Sequence, residues 1–331
     1  MKLKENFKIP NSIGIKSIAD YGIEIQALSE LPELYELIKN RNFDYFILGE
    51  GTNLIPPNHF KGLVISLKFN DIEKQNNIIR VGSSVNWHDL VLYSIDKGYY
   101  GFENLSFIPG SVGAAPIQNI GAYGSDVKDL ISMVYYFDLE NGTFNSFTND
   151  ECKFSYRDSI FKGSNKIITH IDFLINLNGE LNLNYKSLSQ KVDLLINSGE
   201  AIDLSTTSRL VTDIRKEVLP DHNIEPNAGS FFKNPIVDKS KINQTTHNLD
   251  ELVIWEIDSK FVKVGAARLI QLIKDQLPVF DNVFLSSKHN LVITTNMKAD
   301  QSEVLEFAEI IKLKVYETFN IRLEIEPRVI S

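Results

Sequence analysis

Two short runs hold the side chains best suited to chemistry. In Tyr156-Arg157-Asp158-Ser159, an arginine stands in a polar run between Phe154 and Ile160. A guanidinium there can fork onto a carboxylate or phosphate, or simply pair with Asp158 on a surface turn. In Asn227-Ala228-Gly229-Ser230-Phe231-Phe232-Lys233-Asn234-Pro235, Ser, Lys and Asn surround two aromatics. A third stretch, Gly101 to Gly124, has no charged side chain between Glu103 and Asp126, which predicts burial. Yet Gly110, Gly113, Gly121, Gly124, Pro109 and Pro116 forbid a long helix or regular strand there. A buried irregular backbone must satisfy its N–H and C=O groups, through amides such as Gln118 and Asn119, through water, or through a ligand. Glycine loops of this kind can cradle a diphosphate, although this one is neither a Walker A loop nor the dinucleotide fingerprint. A tight structural loop is the competing reading.

Other chemistries are poorly supported. The single cysteine, Cys152, excludes an intrachain disulfide and reads as a structural thiol in a reducing compartment. The six histidines are scattered without metal-ligand spacing, so no metal is expected. With 34 Lys and Arg against 43 Asp and Glu, the net charge is -9, which argues against nucleic acid as a partner. No apolar span reaches membrane length and the N-terminus lacks a signal-peptide core, so a cytoplasmic protein is expected.

Rigid elements must position these runs. Ser29 is read as the cap of a helix through Leu31, Leu34, Leu37 and Ile38, with Pro32 in its first turn. Tyr45-Phe46-Ile47-Leu48 reads as a buried strand that stops at a second glycine turn, Gly49-Glu50-Gly51-Thr52-Asn53. Further strands are predicted at Leu63–Leu67, Ile78–Gly82, Val134–Phe137, Ile167–Ile175 and Leu252–Trp255. Helices are predicted from Asn86 to Lys97, from Ser205 to Pro220 and from Val264 to Gln276. A longer helix begins at a capping box of Asp300 and Glu303. Asn176 to Asn184 reads as a linker or hairpin, and Arg322 to Ile330 as a strand.

Five segments then converge on one family. Leu48 to Leu54, Glu103 to Gly124, Phe154 to Phe161, Asn227 to Pro235 and the closing Glu326-Pro327-Arg328 resemble the UDP-N-acetylenolpyruvoylglucosamine reductases, in order and at similar spacing. Tyr185 resembles the lid-loop tyrosine of one branch. The resemblance implies an α+β chain, with an FAD-binding fold of the vanillyl-alcohol-oxidase (PCMH) type plus an α+β substrate-binding domain. It implies domains at 1–70, 71–203 and 204–320, with residues 321–331 forming a strand that carries an active-site acid. The implied cofactors are FAD and NADPH, and the implied substrate is UDP-N-acetylglucosamine enolpyruvate. A monomer with no nucleic-acid or membrane partner is expected.

The same resemblance assigns roles. Gly49, Glu50, Gly51, Thr52 and Asn53 would bind FAD, together with Pro109, Gly110, Ser111, Gly113, Ala114, Ala115 and Pro116, and with Gln118, Asn119, Gly121, Ala122 and Tyr123. Flavin N5 would pass a hydride to the enolpyruvyl methylene carbon. Arg157 would then stabilise the charge on the adjacent carbon and carboxylate, with Glu326 as the acidic partner that either donates to the developing oxygen or holds Arg157 in place, and Ser230 as proton donor. Tyr156, Tyr185, Lys233 and Asn234 would contact substrate. Departures fall late in the chain: Val218 stands before Leu219-Pro220-Asp221 where a lysine is usual, and Arg268 stands where a tryptophan is common. The loop Leu277 to Phe284 is rewritten. Arg268 is read as a replacement phosphate ligand or as a surface pairing residue. These departures keep open a different substrate on the same flavin fold, or a non-catalytic nucleotide-binding paralogue.

Overall fold

A computed structural model describes residues 1–331. The chain divides into two compact units, one of Met1–Phe7, Ala19–Glu50 and Lys61–Lys216, the other of Lys8–Ile18, Gly51–Phe60 and Glu217–Ser331.

The first unit holds two sheets. One runs in the order Leu3–Lys8, Ile18–Ile25, His59–Leu67 and Tyr45–Leu48, with the last two parallel and Tyr45 opposite Leu63. Helix α1 (Leu31–Arg41) buries Leu31 and Leu34 in the same cluster as Ile23, Ile25, Leu63 and Ile65. The expected Ser29 cap is absent. Instead Glu30 accepts the N–H groups of Gln26 (2.6 Å) and Ala27 (3.1 Å), because a 3-10 turn at Leu28–Glu30 precedes the helix.

The second sheet of this unit is antiparallel, ordered Thr143–Thr148, Ile131–Asp138, Lys166–Leu174, Ile78–Gly82 and Ile72–Gln75. Against it packs helix α2 (Trp87–Asp96), which buries Trp87, Leu90 and Val91 beside Phe102, Leu105, Ile171 and Phe173. Asn86 caps α2 by accepting the N–H groups of His88 and Asp89. Cys152 is buried in this core, and burial pushes its thiol up to about 12, so it is an inert packing residue.

Helices α3 (Lys186–Asn197) and α4 (Leu204–Val218) share a small core of Leu188, Val192, Leu210, Val211 and Ile214. That contact ties α4 as far as Lys216 to the first unit, beyond the domain boundary expected at residue 204. The linker predicted at Asn176 to Asn184 is irregular and leads directly into α3, which sequence periodicity did not reveal.

The second unit packs helix α5 (Ala266–Ile273) and helix α6 (Gln301–Phe319) over two three-stranded sheets, with Phe231, Phe232, Leu269, Val304, Ile311 and Phe319 at its centre. Only half of the expected capping box forms on α6. Asp300 accepts the Glu303 N–H at 2.9 Å, while the Glu303 carboxylate takes the Asn282 amide. The predicted C-terminal strand is reduced to Arg328–Val329, paired in parallel with Leu54–Ile55, plus an isolated bridge from Phe232 to Ile325. This pairing places Gly51–Phe60 with the C-terminal unit.

Candidate functional site

In the first unit, the start of α2 organises the uncharged block. Trp87 donates its backbone N–H to Gly110 O (2.8 Å) and its indole N–H to Leu105 O (2.9 Å). Asn86 bridges Ser111 and gives its amide to Glu50 Oε1 at 2.8 Å, which joins the turn at residues 49–53 to the block. The fit is close: a Cβ on Gly49 would stand 2.9 Å from Ser111 Oγ, and one on Gly113 2.6 Å from Ser83 Cβ. Gly113 therefore serves close backbone approach within the protein, whereas the neighbour at Gly49 is the end of a serine side chain.

The same block retains capacity for a ligand. Val112 N–H goes to Val85 O and Gly113 N–H to Ser83 O, whereas the N–H groups of Gly110 and Ser111 donate to no protein acceptor. Ser83 Oγ is buried and unpartnered beside Gly113. Free amide donors on a turn that opens a 3-10 helix (Val112–Ala114), with an orphaned hydroxyl, are a donor set suited to a diphosphate. The residues present thus fit the FAD expected of them.

Arg157 sits in a two-residue turn closed by reciprocal bonds between Ser155 and Asp158, and adopts φ 54°. The turn is fastened to the block: Asn119 gives its amide to Ser155 O (3.1 Å), and Ser159 Oγ donates to Ile117 O (2.9 Å). Arg157 Nη2 donates to Gly121 O at 3.0 Å, and its guanidinium lies 5.5 Å from the Tyr156 ring centroid. The arginine is therefore oriented from the uncharged block itself. Positive φ at Asn119 (45°) and Tyr123 (48°) concentrates backbone strain in the same place.

Tyr185 immediately precedes α3, without a side-chain cap bond, and meets Tyr123 edge-on at 5.1 Å. A residue not singled out from sequence holds this pair together. Asn104, buried, donates to Tyr123 O (2.8 Å) and Asn182 O (2.7 Å), while its Oδ1 has no partner. An amide inside a long uncharged run was the available signal.

In the second unit, Ser230 ends the strand Asn227–Ser230, paired with Val292, just before the buried Phe231 and Phe232. Glu326 donates its N–H to Phe231 O (2.9 Å) and Lys233 its N–H to Glu324 O (3.0 Å), so the irregular segment carrying Glu326 runs beside the residues that follow Ser230. Gly229 has φ 75° and open space where a Cβ would point. Lys233 Nζ pairs with Glu324 at 2.9 Å, and Asn234 Oδ1 accepts the Ala266 N–H at the start of α5. Arg268 gives Nε to Glu251 O and Nη1 to Gln271 Oε1, both at 2.8 Å. Its fork is thus largely spent on neighbouring structure. The glycine-turn residues Thr52 and Asn53 offer their carbonyls to Ser12 Oγ and the Arg328 N–H.

The chain's class follows from two halves. Residues 20–147 match the FAD binding domain family, and residues 220–330 match the UDP-N-acetylenolpyruvoylglucosamine reductase C-terminal domain. The fold is also that of the UDP-N-acetylenolpyruvylglucosamine reductase from Thermus caldophilus, with a TM-score of 0.69 and 20% identity over all of both chains. This is a flavoprotein of the vanillyl-alcohol-oxidase (PCMH) type with an α+β C-terminal domain. Proteins named UDP-N-acetylenolpyruvoylglucosamine reductase from Flavobacterium johnsoniae and Amoebophilus asiaticus are 35% and 34% identical over the whole of both chains. One from Bdellovibrio bacteriovorus is 33% identical over 96% of each. The chain belongs to the UDP-N-acetylenolpyruvoylglucosamine reductase family.

Proposed function

We propose that this chain catalyses the FAD-dependent, NADPH-driven reduction of UDP-N-acetylglucosamine enolpyruvate to UDP-N-acetylmuramate, a step of peptidoglycan precursor synthesis. The observation that carries the reading is the Arg157 turn, bonded at three points to the block whose free N–H groups suit a diphosphate. FAD would supply the redox step, accepting hydride from NADPH and delivering it to the enolpyruvyl group.

The protein's own residues do the rest. Arg157, permanently cationic, stabilises negative charge developing on the substrate carboxylate and adjacent carbon. Glu326 is read as the acid that donates to the developing oxygen. Ser230 gives the Oγ proton to the substrate carbon. Because serine is a weak acid, the neighbouring Lys233 and Asn234 matter for stabilising its alkoxide or relaying a proton from water. Tyr156 and Tyr185 complete the substrate contacts on the first unit. No helix is long and apolar enough to cross a membrane. A cytoplasmic monomer that supports cell-wall growth is the matching cellular reading, and size-exclusion chromatography checks its oligomeric part.

The test uses purified protein, NADPH and UDP-N-acetylglucosamine enolpyruvate. Mass spectrometry should show a product heavier by two hydrogens; NADPH oxidation without that product would favour a different substrate. Acid precipitation of the yellow protein should release FAD to the supernatant, since no attachment residue is evident. Colour retained in the pellet would contradict noncovalent binding, and colourless protein would count against FAD altogether.

A further inference from the structure

Phe107, just ahead of Pro109-Gly110-Ser111, adopts φ 59°, a left-handed conformation in which a bulky side chain is a true outlier. It is held there from several sides. Its N–H donates to His88 Nδ1 (3.0 Å) and its carbonyl accepts from Arg215 Nε (3.1 Å). Its ring stands perpendicular to the His88 imidazole at 5.7 Å and lies beneath Lys216 Nζ at 5.0 Å.

We propose that His88 is a positioning residue for the flavin-binding loop: a neutral imidazole accepts the Phe107 N–H, holds its strained backbone, and makes retention of FAD sensitive to pH. The inference rests on the reading that Pro109 to Pro116 bind the flavin. An amide N–H can only donate, so Nδ1 must carry the lone pair and the ring proton must sit on Nε2. Protonation puts a second donor against that amide and removes the anchor. The displacement then passes through Ile108 and the rigid Pro109 to Gly110 and Ser111, whose N–H groups are the free donors.

The charged groups facing His88 are Asp89 on its own helix and Arg215 and Lys216 on α4; Phe107 and its neighbours in the block bring none. Burial, with the two α4 cations, outweighs Asp89 and holds the imidazole below its ordinary value. The sign follows from linkage. The loosened state takes up a proton more readily than the closed one, so closure is fully favoured above about pH 6.5 and is lost as pH falls below it.

The experiment is titration of FAD into apoprotein, followed by flavin fluorescence, from pH 5 to 8. Wild-type affinity should hold steady above about pH 6.5 and fall below it by up to about tenfold per pH unit, the limit for one linked proton. His88→Asn keeps an acceptor near Nδ1 that does not titrate, so it should bind well with that acid limb removed. His88→Ala should bind about tenfold more weakly at pH 8, the scale of one hydrogen bond. Adding Phe107→Gly, which takes positive φ without strain, should recover most of that loss. An acid limb preserved in His88→Asn, or wild-type affinity in His88→Ala, would overturn the proposal. Wild-type protein that takes up no FAD at pH 8 would instead overturn the flavin-loop reading beneath it. Thermal melting of each apoprotein at pH 8 separates misfolding from loss of the anchor; if His88→Ala does not fold, the Asn variant decides alone.

Discussion

Ser230→Ala should leave reduction of the bound flavin by NADPH nearly unchanged while slowing its reoxidation by UDP-N-acetylglucosamine enolpyruvate by roughly 10²–10⁴-fold, the range for a positioned acid. The selectivity is the substance of the prediction. Hydride transfer from NADPH needs no proton delivered to the enolpyruvyl carbon, so only the second half-reaction consumes the Oγ proton. The substitution is also mild for the fold. Ser230 is half-buried at a strand end, and the neighbouring fully buried Phe231 and Phe232 hold the strand by packing and backbone bonds to Leu291 and Glu326. Removing one hydroxyl there should cost about 1 kcal/mol of stability at most. Stopped-flow absorbance of the two half-reactions decides it. Equal slowing in both would make Ser230 a structural residue, and unimpaired reoxidation would place the proton donor elsewhere, with Glu326 the next group to test.

The parts that could be read from the sequence share a physical basis. Helices α2 and α6 announce themselves through Asn86 and Asp300, caps that act over three residues, followed by regular apolar faces. The two glycine stretches and the Arg157 turn are local signals of the same kind. What stayed hidden depends on partners distant in sequence. Helix α3 buries only Leu188 and Val192 and has no side-chain cap, so its stability comes from α4 rather than from its own pattern. Residues 8–18 and 51–60 join the C-terminal unit through contacts such as Thr295 Oγ1 to Ile13 O and Gln301 Nε2 to Ile55 O, which no window of sequence contains. Arg268 illustrates the limit for single residues. Its charge is visible in the sequence, but the commitment of its fork to Glu251 O and Gln271 is a property of the fold.

Gly51→Ala should be the most damaging of the glycine-turn substitutions, for reasons of backbone approach more than cofactor contact. Gly51 has φ 73°, and a Cβ there would stand 2.1 Å from Pro10 O and 3.1 Å from Asn11 Cα. Both opposing atoms are backbone, and they cannot easily retreat. Proline fixes its own φ, and the Asn11 side chain bonds Ile9 O, Ile15 O and the Ile15 N–H at 3.1, 2.9 and 2.9 Å. The Gly51 segment must therefore move, breaking the bond from Ser12 N–H to Gly51 O and straining that from Arg328 N–H to Asn53 O. Since Leu54 and Ile55 pair with Arg328 and Val329, the shift carries to the segment bearing Glu326. Overpacking and the left-handed conformation together should cost about 3 kcal/mol, or a fall of roughly 6–12 °C in melting temperature for a unit of this size. Gly163→Ala is the control: its φ is 71° but nothing lies within 4 Å of the added methyl, so only the conformational part, about 1 kcal/mol, should appear. Differential scanning calorimetry of both apoproteins measures the difference, and equal losses would show that the approach to Pro10 is not what demands glycine at position 51.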